Sequence, residues 1–240
     1  MTGHHQIRYN AKTHVGHKRK INEDSILAVP EQNIWLVSDG MGGHSSGDFA
    51  SRLIADTVAM VPDGLGPAEK MQALRGAIQK AHKIIVAEAA NRGGGTIGAT
   101  VVTIMVAKNH FVAFWAGDSR LYRLRGSRIE MLTTDHSVVA EYVLAGKMSW
   151  DEAENHPQSN TITRAVGVGD VLDLDKIRGE VEPGDRFLLC SDGMSKYATF
   201  QLLENTLQRT PIETVSETLI KIALDGGGQD NISVIVVDVL

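Results

Sequence analysis

The stretch Thr100-Val101-Val102-Thr103-Ile104-Met105-Val106-Ala107-Lys108-Asn109-His110-Phe111-Val112-Ala113-Phe114-Trp115 holds two apolar runs joined by a short polar break. Both runs are rich in β-branched and aromatic residues, the composition of buried strands. The break leaves room for a hairpin but none for the helix that a parallel crossover requires, so the pair reads as antiparallel. Working outward, the same kind of short run recurs at Ile34 to Val37, Phe187 to Cys190 and Ile232 to Val239. Between the first strand and this hairpin the period changes. Met71, Leu74, Ile78, Ala81 and Ile85 follow helical spacing inside Pro67 to Asn91, and Ser46 to Val61 reads as a helix before it. Ile212, Val215, Leu219 and Ile222 repeat that spacing and run into Gly226, a C-cap residue. Ser149 and Glu152 have capping-box spacing, which predicts a short helix. Grouped strands with intervening helices predict an α+β class, with sheets packed on each other or covered by helices.

The chain has 240 residues, ample for a hydrophobic core, and a formal net charge of −5. No linker-like stretch divides it, so residues 1–240 read as a single domain. An acidic balance argues against a general nucleic-acid binder, which needs a basic face. The lone cysteine, Cys190, rules out an intrachain disulfide and a thiolate zinc site, which points to the cytoplasm. No apolar run approaches membrane-spanning length, and Met1 to Lys20 is polar with no signal core. His4 and His5 read as frayed.

The 29 acids divide into 16 Asp and 13 Glu. Asp is the acid of turns and hard-metal sites, and here it sits where strands end. Ile34 to Ser38 runs into Asp39-Gly40, Phe111 to Gly117 into Asp118, and Phe187 to Ser191 into Asp192-Gly193. Asp230-Asn231 precedes the last strand, and an early turn carries Asn22-Glu23-Asp24. Leu36-Val37-Ser38-Asp39-Gly40-Met41 and Leu189-Cys190-Ser191-Asp192-Gly193-Met194 echo each other. Any one Asp-Gly is a turn. Five acidic turns, four of them directly flanking buried-type strands, predict convergence, and converging carboxylates need divalent cations with oxygen ligands, Mn²⁺ or Mg²⁺.

These segments, in this order, resemble the metal-dependent Ser/Thr protein phosphatases of the PPM (type 2C) class in their compact bacterial form. The resemblance runs from Arg8 to Leu240. It rests on Gly16-His17-Lys18-Arg19-Lys20-Ile21-Asn22-Glu23-Asp24, Val37-Ser38-Asp39-Gly40-Met41-Gly42-Gly43-His44 and Gly98-Ala99-Thr100. It continues through Ala116-Gly117-Asp118-Ser119-Arg120, Leu132-Thr133-Thr134-Asp135-His136-Ser137 and Ile162-Thr163-Arg164-Ala165-Val166-Gly167. It closes with Ser191-Asp192-Gly193 and Asp230-Asn231-Ile232-Ser233. The implied fold is a four-layer α-β-β-α sandwich of mainly antiparallel sheets, with a flap over residues 136–162.

The resemblance also implies the site. Asp39 would bridge two Mn²⁺ or Mg²⁺ ions, the Gly40 carbonyl would bind one of them, and Asp192 with Asp230 the other. Glu23 and Asp24 would hold metal-bound waters, and Asp118 with Asp192 a third, weaker ion. A water between two ions loses a proton near neutral pH and attacks phosphorus in line, without a phosphoenzyme. Arg19 would clamp the phosphate, since a guanidinium grips phosphate bidentately. The general acid stays open. Relatives often carry His after the Asp-Gly, where this chain has Met41, which leaves His44 or a metal-bound water for the role. Arg120 and Arg164 read as structural ion-pair partners and Cys190 as a core residue. The implied partners are Ser/Thr-phosphorylated proteins and a cognate kinase, with no nucleic acid and no membrane, the protein acting as a monomer. Two other functions share the residues: a phosphatase-fold binding module without catalysis, and a metal-dependent hydrolase of another phosphoester.

Overall fold

Strand β3 (Ile34–Met41) sits at the heart of one of two antiparallel sheets. The computed structural model describes residues 6–42 and 46–240. In chain order the first elements are β1 (Ile7–His14), β2 (Asp24–Val29), β3, α1 (Ser46–Ala59), α2 (Pro67–Asn91) and β4 (Gly98–Ala99). The hairpin strands follow as β5 (Val101–Ala107) and β6 (His110–Ala116), then β7 (Arg120–Arg125) and β8 (Arg128–Met131). Short helices α3 (Ala140–Leu144) and α4 (Trp150–Ala153) lead to β9 (Asp175–Glu180) and β10 (Arg186–Cys190). The last elements are α5 (Asp192–Ser195), α6 (Phe200–Arg209), α7 (Ile212–Asp225) and β11 (Ile232–Val239).

One sheet has the order β1-β11-β10-β7-β8, the other β2-β3-β5-β6-β9 with β4 added on β3. The β5–β6 hairpin is antiparallel, with Ala107 paired to His110, as its short polar break requires. Three apolar clusters mark three interfaces. Ile54, Leu74, Ile78 and Ile85 of α1 and α2 pack with Leu36 and Phe114 of one sheet. Trp35, Val37, Ile104, Phe187 and Ile235 fill the space between the sheets. Leu203, Leu207, Val215 and Leu219 of α6 and α7 pack on Leu188 and Val236 of the other sheet. Helices outside and sheets inside make the α-β-β-α sandwich. The central strands are buried on both faces, which is why they read as continuous apolar runs.

The sequence reading missed six strands and three helices, the two-residue β4 and the short α3 and α5 among them. β1 reads Ile-Arg-Tyr-Asn-Ala-Lys-Thr-His and is an edge strand with no fully buried residue, Arg8, Tyr9 and Thr13 being exposed, so the run looks polar. β7, β8 and β9 carry charged residues on exposed or half-buried positions and escape a search for apolar runs, while β2 opens on the polar pair Asp24-Ser25 and is short. α6 starts where the Thr199 hydroxyl accepts from the Leu202 N–H. Asp24, read as a turn residue, opens β2 instead, and Asp192, read as part of a glycine turn, opens the helical turn α5.

The flap is closed at its neck by an isolated bridge between Ser137 and Ile162. Within it, Ser149 caps α4 with the reciprocal bonds the capping box predicts. Arg120 anchors the flap to the sandwich. Its guanidinium is buried, binds Asp135 through Nε and Nη2, approaches Glu154 at 2.7 Å, and lies 5.2 Å from the Trp150 ring centre. Arg164 pairs with Asp175 at 2.6 Å. Both arginines therefore have the structural partners expected of them. Cys190 is fully buried, and burial pushes its thiol up to about 12, so it stays protonated in the core.

Candidate metal centre

Asp39 lies two residues from the end of β3, directly across from Asp24 at the start of β2. Residues paired in register point to the same face, so two carboxylates confront each other where like charges destabilise a sheet. The strand cannot slip to avoid this. The Asp39 N–H donates to Thr100 Oγ1 at 3.0 Å and its carbonyl accepts from the Thr100 N–H at 2.8 Å. The Ser38 hydroxyl also donates to the Thr100 carbonyl, and the Thr100 and Ser119 hydroxyls share a bond that ties this end to the Asp118 turn.

Two glycines let the acidic turns meet. A Cβ on Gly40 would lie 2.2 Å from the Gly47 carbonyl oxygen, so only glycine lets α1 approach this closely. A Cβ on Gly193 would lie 1.9 Å from the Asn231 carbonyl oxygen, so the Asp192 and Asp230 turns touch backbone to backbone. Asn231 then pins the early turn. Its Nδ2 donates to the carbonyls of Val15 and Ile21, and its Oδ1 accepts from the Glu23 N–H at 2.8 Å. Inside that turn Arg19 donates to Asp230 Oδ2 at 2.8 Å.

The outcome is one cavity of about 290 Å³. Arg19, Glu23, Asp39, Gly40, Asp118, Asp192 and Asp230 all line it, together with Asn160 and Ile162 from the flap. Asp24 does not line it but lies buried behind Asp39. Its Oδ2 accepts from Ser191 Oγ at 2.9 Å and Ser233 Oγ at 2.6 Å. His44 lies outside the described residues.

The electrostatics are those of buried carboxyls crowded against one another. Burial, then repulsion from Asp24 and Asp192, raises the Asp39 carboxyl well above the usual range. Burial, then Asp192 and Asp135, does the same to Asp118, against the pull of Arg120. Burial raises Asp192, Asp230 adds to the rise, and a hydrogen bond with Asp39 opposes it. Burial pushes Asp24 up to about 7, although two serine hydroxyls oppose the rise. Asp24 Oδ1 and Asp192 Oδ1 are buried with no hydrogen-bond partner. A buried carboxylate oxygen with no donor is costly and is satisfied by a cation or by water that a cation orders. The donor set is all oxygen, which suits hard divalent ions.

Among the described residues no three acidic, histidine or cysteine side chains already close around one point as a finished ion shell. Asp230 in particular faces Arg19. The fit to divalent ions therefore rests on the opposed Asp24–Asp39 pair and the two partnerless oxygens.

The positioning residues Asn231, Ser191 and Ser233 were not singled out from the sequence, although all three sit inside the acidic motifs. The available signal was a short polar residue beside each Asp at a buried strand end.

Comparison with known proteins agrees with this geometry. A family model described as protein phosphatase 2C matches residues 13–225. The chain is 33% identical over 235 residues to the serine/threonine protein phosphatase PstP of Mycobacterium tuberculosis, covering 98% of this chain and 45% of that protein. It thus spans less than half the length of that relative. It is 34% identical to the serine/threonine phosphatase stp of Listeria welshimeri, covering 95% of this chain and 94% of that one. Among solved structures, PppA, described as a key regulatory component of T6SS in Pseudomonas aeruginosa, superposes with a TM-score of 0.90 at 40% identity, covering 98% of both chains. The catalytic domain of PstP in complex with two manganese ions superposes at 0.88 with 32% identity, again covering 98% of both.

Proposed function

This chain belongs to the protein phosphatase 2C family, and we propose that it hydrolyses phosphoserine and phosphothreonine in proteins without a phosphoenzyme. One observation carries the reading: Asp39, backed by the buried Asp24 across the strand pair, lines a cavity with Asp118, Asp192, Asp230 and Arg19. In our assignment Asp39, the Gly40 carbonyl, Asp192 and Asp230 would hold two divalent ions, Mn²⁺ or Mg²⁺, with Asp39 shared between them. Asp118 with Asp192 would hold a third, weaker ion, and Glu23 and Asp24 would orient water bound to the ions. The manganese-bound PstP catalytic domain supports the metal assignment for this chain. When bound, the ions supply an activated water for in-line attack and neutralise charge on the phosphoryl oxygens.

The chain's own groups do the rest. The Thr100 bonds fix Asp39, so the bridging carboxylate needs no reorganisation. Arg19 is half exposed on Asp230 and presents its free N–H groups to the cavity mouth, where a phosphoryl oxygen enters. The flap, with Asn160 and Ile162 on the cavity wall, shields the site from bulk water. His44 or a water protonates the leaving oxygen. We read residues 136–162 as a flap on a single phosphatase domain. It acts as a cytoplasmic monomer in signalling, opposite a Ser/Thr kinase whose products are its substrates. Every acid this chemistry needs is present, so no observation favours a catalytically silent module.

Hydrolysis of a phosphothreonine peptide is expected to require added Mn²⁺ or Mg²⁺ and to exceed hydrolysis of nucleotides. Undiminished turnover in EDTA, measured by phosphate release, overturns the reading. Arg19→Ala is expected to lower kcat/KM by about 10- to 100-fold, the worth of a hydrogen bond to a charged group, mostly through KM. Steady-state kinetics on the same peptide checks it, and Arg19→Lys should fall between the two.

A further inference from the structure

We infer that Met41 and Val168 form an apolar subsite that receives an aliphatic side chain next to the phosphorylated residue of the substrate. The inference rests on the phosphatase reading and goes on to name what the site selects. Met41 is the last residue of β3, two positions after Asp39. Side chains alternate along a strand, so the Met41 thioether shares the face that carries the Asp39 carboxylate. It lines the same cavity, and Ile162 of the flap adds a second apolar side chain to that wall.

The partner of Met41 across the ladder is Gly98, which has no side chain to cover it. A Cβ placed on Gly98 would lie 3.0 Å from Met41 Cε and 3.0 Å from Val168 Cγ2. The two side chains therefore converge over the bare glycine and carry the apolar wall outward from the cavity. Val168 is 40% exposed, so the shelf ends in solvent.

The cavity lining is mixed in chemistry. Arg19 belongs to an exposed turn with Lys18 and Lys20. Met41 and Ile162 present a thioether and aliphatic methyls. A peptide whose phosphorylated residue enters the cavity places its neighbour about 3.3 Å further along the chain per residue, within reach of the shelf. Continuity with the cavity thus fixes the occupant: a side chain of the substrate itself, apolar and flanking the phosphoresidue. The flexible Met41 side chain suits several aliphatic shapes rather than one.

The test compares phosphothreonine peptides in which each flanking position is Leu, Ala or Glu, with wild-type protein in Mn²⁺. At one flanking position Leu is expected to raise kcat/KM about tenfold over Ala, the lower end of what an apolar contact gives. Val168→Asn and Met41→Gln are each expected to bring that ratio close to one. Val168→Asn should leave turnover of the Ala peptide unchanged, which separates lost selectivity from lost folding. Equal kcat/KM for all peptides with wild type, or a ratio that survives both substitutions, overturns the subsite while leaving phosphatase activity standing. Failure to hydrolyse any of the peptides overturns the phosphatase reading and the subsite together.

Discussion

Asp39→Asn is expected to lower phosphopeptide kcat/KM by about a thousandfold in Mn²⁺, the scale on which a preorganised charge in an active site is worth. The substitution is isosteric and preserves the backbone bonds of Asp39 to Thr100. It removes one charge from a group of buried acids that repel each other: Asp24, Asp118, Asp192 and Asp230 all raise Asp39. Activity and stability should therefore move in opposite directions. In EDTA the variant should melt a few degrees above wild type, because the strand pair no longer opposes two carboxylates. In Mn²⁺ it should gain less than wild type does, because a bridging ligand has gone. A destabilised Asn variant in EDTA would show that Asp39 is a structural carboxylate. Activity within tenfold of wild type would remove it from the metal centre. Asp192→Asn should behave alike, since Asp192 is raised by burial and by Asp230 and keeps an oxygen with no partner.

The sequence disclosed the cluster of acidic turns better than it disclosed the strands around it. Aspartates at strand ends are visible because apolar runs point at them: Ile34 to Ser38 at Asp39, and Phe187 to Ser191 at Asp192. Those runs are apolar because the strands carrying them lie between layers. Strands such as β1 and β9 sit at sheet edges with no residue fully buried, and their composition carries no such mark. The Asp24–Asp39 confrontation was also hidden. Register between β2 and β3 decides it, and β2 had not been recognised as a strand. Arg19 was legible as a residue near the site, but its seat on Asp230 was not. That contact depends on Asn231 drawing together segments more than 200 positions apart.

Raising the pH from 6.5 to 8.5 in EDTA is expected to lower the melting temperature of the wild-type chain, and Mn²⁺ is expected to reverse the loss. The sign follows from the carboxyls. Asp24 is pushed up to about 7 in the folded chain, and Asp39, Asp118 and Asp192 are raised as well, so the folded state holds protons that the unfolded chain has released. Wherever the folded state binds more protons, stability falls as pH rises. Each unit by which a carboxyl is raised is worth about 1.4 kcal/mol, lost as pH climbs from the ordinary carboxylate pKa through the raised one. Two histidines act the other way. His82 and His136 are lowered, mainly by burial, so they favour folding as pH rises, but that contribution is complete once pH exceeds the ordinary histidine value of about 6.5. Above it the raised carboxyls decide the sign, Glu154 acting in the same direction as the aspartates. Divalent ions bind the ionised carboxylates, so their stabilisation should grow across the same interval. At a hundredfold excess over Kd an ion adds about 2.7 kcal/mol, or roughly 5–10 °C for a chain of this size. Thermal melts by circular dichroism, with and without Mn²⁺ at each pH, measure both effects. A melting temperature in EDTA that holds or rises between pH 6.5 and 8.5 would contradict the buried-carboxylate account. A Mn²⁺ effect independent of pH would place the ion somewhere other than among these aspartates.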